Sequence, residues 1–195
     1  MKALIEFHDD LVDIYGYTAQ IETAISTWRD WMNQQVNNGG GTTLSNTLSF
    51  GNPGDPNLPD AKYQYRATLG DLISASGKSG RTSILHRRYI LVLVVAAWED
   101  GYRPLIAREC NMDKNDVQSD VFHDLNKYRQ AILHRSNRLG SKPKALPYFK
   151  EGDEVSPTSD QIELIFRGLI DDELNRIGRE YYHTDLGFRF DKRLN

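Results

Sequence analysis

Arg129 and His134 stand five residues apart in "KYRQAILHRSNRLG", residues 127 to 140, with three more cations directly behind them. An arginine stays cationic at neutral pH and can hold a phosphate through parallel N–H donors. A histidine, with an ordinary pKa of about 6.5, exchanges a proton near neutrality. Together the two types suffice to cut RNA without a metal ion: one activates the ribose 2'-hydroxyl and the other holds the phosphate and its developing charge. The spacing is less helpful, because a helix turns about 100° per residue and sets the two roughly 140° apart. Arg129 then falls at the border of the core stripe and His134 points nearly outward. Their head groups converge only if the helix ends or unwinds near His134, or if a second chain brings its own pair to the same cleft. Spacing alone favours a structural or solvated helix over a catalytic pair.

The charge around the pair is uneven. The chain carries a net charge of −3, which excludes a uniformly basic nucleic-acid binder. Residues 1–36 contain two Lys/Arg and six Asp/Glu, whereas residues 125–150 contain Lys127, Arg129, Arg135, Arg138, Lys142, Lys144 and Lys150 with no acid among them. Such a cluster can gather a polyanion even on an acidic protein, or it can be a solvated face. One cysteine, Cys110, excludes an internal disulfide and offers no zinc-ligand set, so neither metal nor cofactor is expected and the chain reads as intracellular. "MKALIEFHDD" meets acids before any signal-like apolar run, and the longest apolar run, Tyr89 to Trp98, is half the length of a bilayer span. A cytoplasmic protein that does not enter the membrane is expected.

Four helices account for most of the chain. Leu4, Phe7, Leu11, Ile14, Thr18, Ile21, Ile25, Trp28 and Met32 recur at spacings of three and four, which predicts a long first helix, kinked or split near Gly16 and Thr18. Residues 37–80 are rich in Gly, Asn, Ser and Pro at their start and read as an inserted loop or short irregular hairpin. The Gly-Lys-Ser within them lacks the earlier glycine of a phosphate loop, since Leu72 occupies that position. A central helix covers Ser83 to about Arg108, ending or bending at Gly101 to Pro104. The helix bearing the Arg/His pair spans about Asp113 to Asn137, acidic in its first half and basic in its second, with Val121, Leu125, Tyr128 and Ile132 as core stripe. "PYFKEGDEVS" suggests a two-stranded tongue about a glycine turn, and Thr158 and Gln161 open a closing helix in capping-box spacing. Residues 179–195 form an aromatic, basic tail suited to capping the bundle or meeting a partner.

In "HDLNKYRQAILH", the central "AAWED" and "ALPYFKEGDEVSPTSDQIELIFRGLI", from about Leu85 to Leu174, the chain resembles the HEPN superfamily. Its catalytic members carry Arg, a polar residue, a few further residues and His, matched here as Arg129, Gln130, three residues and His134. Gln130 departs from the Asn, Asp or His often found after the arginine. The resemblance implies an all-α bundle of four to five helices with a short β tongue between motif helix and closing helix, a single domain over residues 1–195. It further implies a homodimer with both motifs in one cleft, acting as a metal-independent endoribonuclease, with Arg129 on the phosphate and His134 moving the proton. A toxin or phage-defence effector, with an antitoxin or regulatory protein as partner, fits that picture. Gln130, Glu99 and Asp124 become candidates for supporting Arg129, and Lys127, Arg135, Arg138, Lys142 and Lys144 for holding the RNA backbone. A non-catalytic HEPN domain binding RNA or protein, or a helical dimeric interaction protein, are the alternatives.

Overall fold

A computed structural model describes residues 1–38, 41–50 and 65–190. The described chain is all-α apart from one small sheet. In order it forms α1 (Lys2–Asn37), β1 (Thr47–Phe50), β2 (Tyr65–Thr68), α2 (Leu69–Ala75), α3 (Arg81–Ala96), a π turn (Ala97–Tyr102) and α4 (Arg103–Glu109). A 3-10 turn (Lys114–Asp116), α5 (Asp120–His134), α6 (Ser159–Arg167), a second π turn (Gly168–Glu173) and α7 (Leu174–Tyr182) follow. Because each π turn joins two α segments without a break, these elements make five continuous helices among the described residues.

Contacts divide the chain into two compact units, Met1–Gln20 with Ile84–Asn195, and Ile21–Ser83. The smaller unit has a core of Met32, Leu69 and Leu72, with Trp28, Val36, Leu48, Ala67 and Ile73 against it. Its strands pair antiparallel from Thr47 opposite Thr68 to Phe50 opposite Tyr65. Thr68 caps α2, its hydroxyl accepting from the Asp71 amide. The expected 37–80 insertion falls in this unit, and its residues 39–40 and 51–64 lie outside the described residues.

The larger unit is built on Leu4, Phe7 and Leu11 of α1, Leu91, Val94, Val95 and Trp98, Leu125 and Tyr128 of α5, and Ile165, Phe166, Leu169 and Ile177 of the closing helix. Trp98 stacks on Phe122 with ring centroids 4.2 Å apart and planes 7° from parallel, and Phe7 lies against both rings. Aromatic pairs of this kind add to the area they bury. Trp98 stands in the π turn, so the strongest aromatic contact of the core also anchors the irregular part of the central helix.

Several boundaries differ from expectation. α1 runs unbroken through Gly16, and the Thr18 hydroxyl bonds back to the Ile14 carbonyl at 2.8 Å, a contact that a helix tolerates. The bend expected at Gly101 to Pro104 is taken up by the π turn. α5 begins at Asp120, not Asp113: Asp113 caps the 3-10 turn, and the Ser119 hydroxyl, accepting from the Phe122 amide at 3.0 Å, is the helix cap. The buried face of α5 is Phe122, Asp124, Leu125, Tyr128 and Ala131, with Val121 and Ile132 at its edge.

The tongue region is an irregular loop closed by one bridge, Arg138 with Glu154. Its turn lies at Lys150 to Asp153, where Gly152 takes a φ of +87°. The returning strand-like segment bonds to residues 137–139, not across the turn: the Val155 amide donates to Asn137 and the Leu139 amide to Asp153. Arg88 of α3 fastens the far side, donating to the Val155 carbonyl at 2.6 Å and to Glu154 at 2.5 Å. The closing helix opens as expected, with Thr158 and Gln161 in a reciprocal capping box. Described residues 183–190 of the tail fold onto this unit, where Phe188 exchanges hydrogen bonds with Asn175 and Phe190 meets Tyr15 edge-on. Residues 191–195 lie outside the described residues. No described helix is long and apolar enough to cross a membrane.

Candidate functional site

A polar cleft of about 540 Å³ opens in the larger unit. One wall is the π turn and the start of α4, giving Trp98, Glu99, Asp100 and Arg103; another is the connection carrying Lys114, Asn115 and Gln118. The third is the N-terminal two-thirds of α5, with Asp120, His123, Asn126 and Arg129, and Lys144 reaches in from the following loop. π turns recur at functional sites because they displace side chains from the helical register.

The cations of the cleft differ in what they hold. Both Glu99 oxygens accept from the same nitrogen of Arg103, at 2.9 and 3.1 Å, and Lys114 approaches that carboxylate at 3.6 Å while donating to the Glu99 carbonyl. Arg103 also donates to the Val117 carbonyl at 2.9 Å. Lys144 lies 3.4 Å from Asp120 at the exposed rim. Arg129 is half-buried and has no carboxylate partner among the described residues. Its one hydrogen bond among the described residues is a 3.4 Å bond to the Asn126 side chain, and its Nε is buried without an acceptor there. A buried donor left unmade costs about 1–3 kcal/mol, a cost that an acceptor brought by a ligand would remove.

His134 does not line the cleft. It is the last residue of α5 and exposed, followed by Arg135 and then by Ser136 and Asn137, which turn the chain away with φ of +50° and +66°. The helix thus ends where the pair needs it to end, yet His134 is not among the residues lining the cleft that holds Arg129. Gln130 is half-buried and outside the cleft lining.

Glu99 and Asp124 are engaged away from Arg129. Asp124 is wholly buried, and one of its oxygens accepts from the amides of Lys144, Ala145 and Leu146 at 2.6, 2.6 and 3.1 Å. The other accepts from Lys127 at 2.8 Å. Burial by itself would raise this carboxyl's pKa, but the Lys127 ammonium and the three amides hold it below its ordinary value. Asp124 is therefore the clamp that docks loop 142–146 on α5, and through that loop it sets where Lys144 hangs. Tyr128 adds a second clamp, donating to the Leu146 carbonyl at 2.5 Å.

The expected RNA-binding cations separate in the same way. Lys127 is occupied by Asp124 and the Lys142 carbonyl, and Arg138 donates to the Gly152 carbonyl at 3.1 Å. Arg135, Lys142 and Lys144 are exposed. The residue that sequence reasoning passed over is His123, exposed and lining the cleft with Arg129. The signal was present: eleven residues separate His123 from His134, which sets them within roughly 20° of each other and roughly 16 Å apart along the helix. Both imidazoles lie on one exposed ridge of α5. Among the described residues no cluster of three or more His, Cys, Asp or Glu is placed to hold a metal ion. No family model matches the chain, and neither the curated proteins nor the solved structures contain a match to it.

Proposed function

We propose that the chain is a metal-independent endoribonuclease of the HEPN type, working as a homodimer whose Arg129 and His134 side chains meet across a shared cleft. The observation that carries this reading is Arg129: a half-buried guanidinium, facing a polar cleft, with no carboxylate to neutralise it. A phosphate oxygen is the partner that such a group suits. His134, exposed at a helix end, is accessible to RNA and to a second chain. In the reaction the 2'-hydroxyl proton passes to the imidazole and the 2'-oxygen bonds to phosphorus. The P–O5' bond then breaks, and the departing 5'-oxygen takes a proton from the imidazolium or from water. The products are a 2',3'-cyclic phosphate and a 5'-hydroxyl. Toxin or phage-defence effector is the role proposed for this activity, under control of an antitoxin or other regulatory protein.

The test is cleavage of a mixed RNA pool with chelator present, comparing the unmodified chain with Arg129→Ala and His134→Ala and mapping product ends. Cyclic-phosphate ends from the unmodified chain alone are expected. Equal products from all three would overturn the reading. A second reading, an RNA-binding domain without turnover, is favoured by one observation, the absence of His134 from the cleft that Arg129 lines. It predicts RNA binding lost in Arg129→Ala, unchanged in His134→Ala, and no cleavage by any chain.

A further inference from the structure

The cleft itself is more complete within one chain than the Arg/His pair is. Arg129, Asn126 and His123 all face it from α5, and Lys144 reaches its rim from the loop clamped by Asp124. Of the acids in its walls, Glu99 is taken by Arg103 and Lys114, and Asp100 is exposed to solvent. Asp120 is paired with Lys144 only at 3.4 Å and in solvent, so this contact is weak and readily exchanged. Asn126 is the sole side chain bonded to Arg129, and its 3.4 Å contact is long enough to leave the guanidinium free to turn toward a ligand. Beside the exposed carboxylates of Asp100 and Asp120, the cleft thus presents a guanidinium, an imidazole, an ammonium and an amide. All four can donate to an oxyanion.

We infer that the cleft is a phosphate-binding site complete within a single chain, in which His123, unassigned by the Arg/His motif, contacts the phosphate together with Arg129 and Lys144. This rests on the phosphate role given to Arg129 above, but not on catalysis, on His134 or on a dimer. The ligand is a phosphate oxyanion, borne by an RNA phosphodiester or by a free mononucleotide or phosphate ion.

The experiment is titration of the full-length chain with three probes: a dinucleoside phosphate carrying a 2'-deoxy group at the scissile position, a nucleoside 3'-monophosphate, and inorganic phosphate. Affinity is read by calorimetry and contact by the His123 imidazole resonances. Binding of one ligand per chain is expected, with shifts at His123. The expected loss is about tenfold in Arg129→Gln and a smaller, severalfold loss in His123→Gln, each the size of a lost charge-assisted or ordinary hydrogen bond. Lys150→Ala, outside the cleft, stays within about twofold, as an exposed charge away from the site should. Tightest binding of the dinucleoside phosphate identifies RNA as the source, and equal or tighter binding of either small probe identifies a free phosphate or mononucleotide. Affinity unaffected by both cleft variants, a stoichiometry of one ligand per two chains, or no binding of any probe overturns the inference. Phosphate binding without RNA cleavage would sink the nuclease reading alone, and cleavage with His123→Gln binding and cutting normally would sink this one alone.

Discussion

Asp124 uses both carboxylate oxygens on its own chain, and no solvent reaches it. Replacing it with Asn keeps an oxygen for the three backbone amides but turns an NH2 donor toward the Lys127 ammonium, which loses that acceptor. Asp124→Asn should lower the unfolding free energy by roughly 2 kcal/mol at neutral pH, measured by urea denaturation. The pH dependence has a definite sign. A carboxyl whose folded pKa is depressed contributes stability that is fully present above its unfolded value of about 3.9 and is lost as pH falls through the lower folded value. The stability gap between the unmodified chain and Asp124→Asn should therefore be widest near neutrality and narrow below about pH 4. Arg129 should behave in the opposite way. Because its Nε is buried and unmatched, Arg129→Met is expected to leave the urea midpoint unchanged or raise it while RNA affinity falls. A fall in stability with affinity intact would remove Arg129 from the site.

At the scale of elements, the legible parts were those written in local chemistry. The closing helix announced itself through Thr158 and Gln161, and the central helix through its apolar run from Tyr89 to Trp98. α5 was misjudged at its start because two capping residues precede it. Asp113 and Ser119 each satisfy an amide, and only tertiary packing decides that one opens a single 3-10 turn and the other a helix of 15 residues. Ser119→Ala should accordingly cost about 1 kcal/mol, read as a lower melting temperature, whereas Asp113→Ala should cost less. The π turns were invisible for a different reason. A period of 3.6 residues assumes uniform winding, and a local change of winding shifts neighbours without changing which residues are apolar. Hence Glu99 was legible as a candidate, but its commitment to Arg103 and Lys114 was not. The backbone partners of Asp124 were illegible for a related reason, since they lie twenty residues onward in a loop without periodicity.

For the whole molecule, the proposed nuclease requires Arg129 to meet a His134 that lies outside the cleft Arg129 lines. A composite site across two copies makes a specific demand. Arg129→Ala and His134→Ala chains, each inactive alone, should recover RNA cleavage when mixed and allowed to exchange subunits, and no recovery would confine the chemistry to one chain. Salt gives a further measure. If Arg129, Lys144, Lys142 and Arg135 together neutralise about four phosphates of a single strand, the logarithm of affinity should fall against that of salt with a slope of roughly −3. A flat dependence would exclude the basic stretch from RNA contact.

The π turn at Ala97–Tyr102 has a meaning in terms of descent. It holds one residue more than an α-helix needs over that length, so loss of a single codon there would straighten the helix and keep the apolar phase of α3 and α4 aligned. Glu99 and Asp100 would leave the cleft wall, and the bundle would stand.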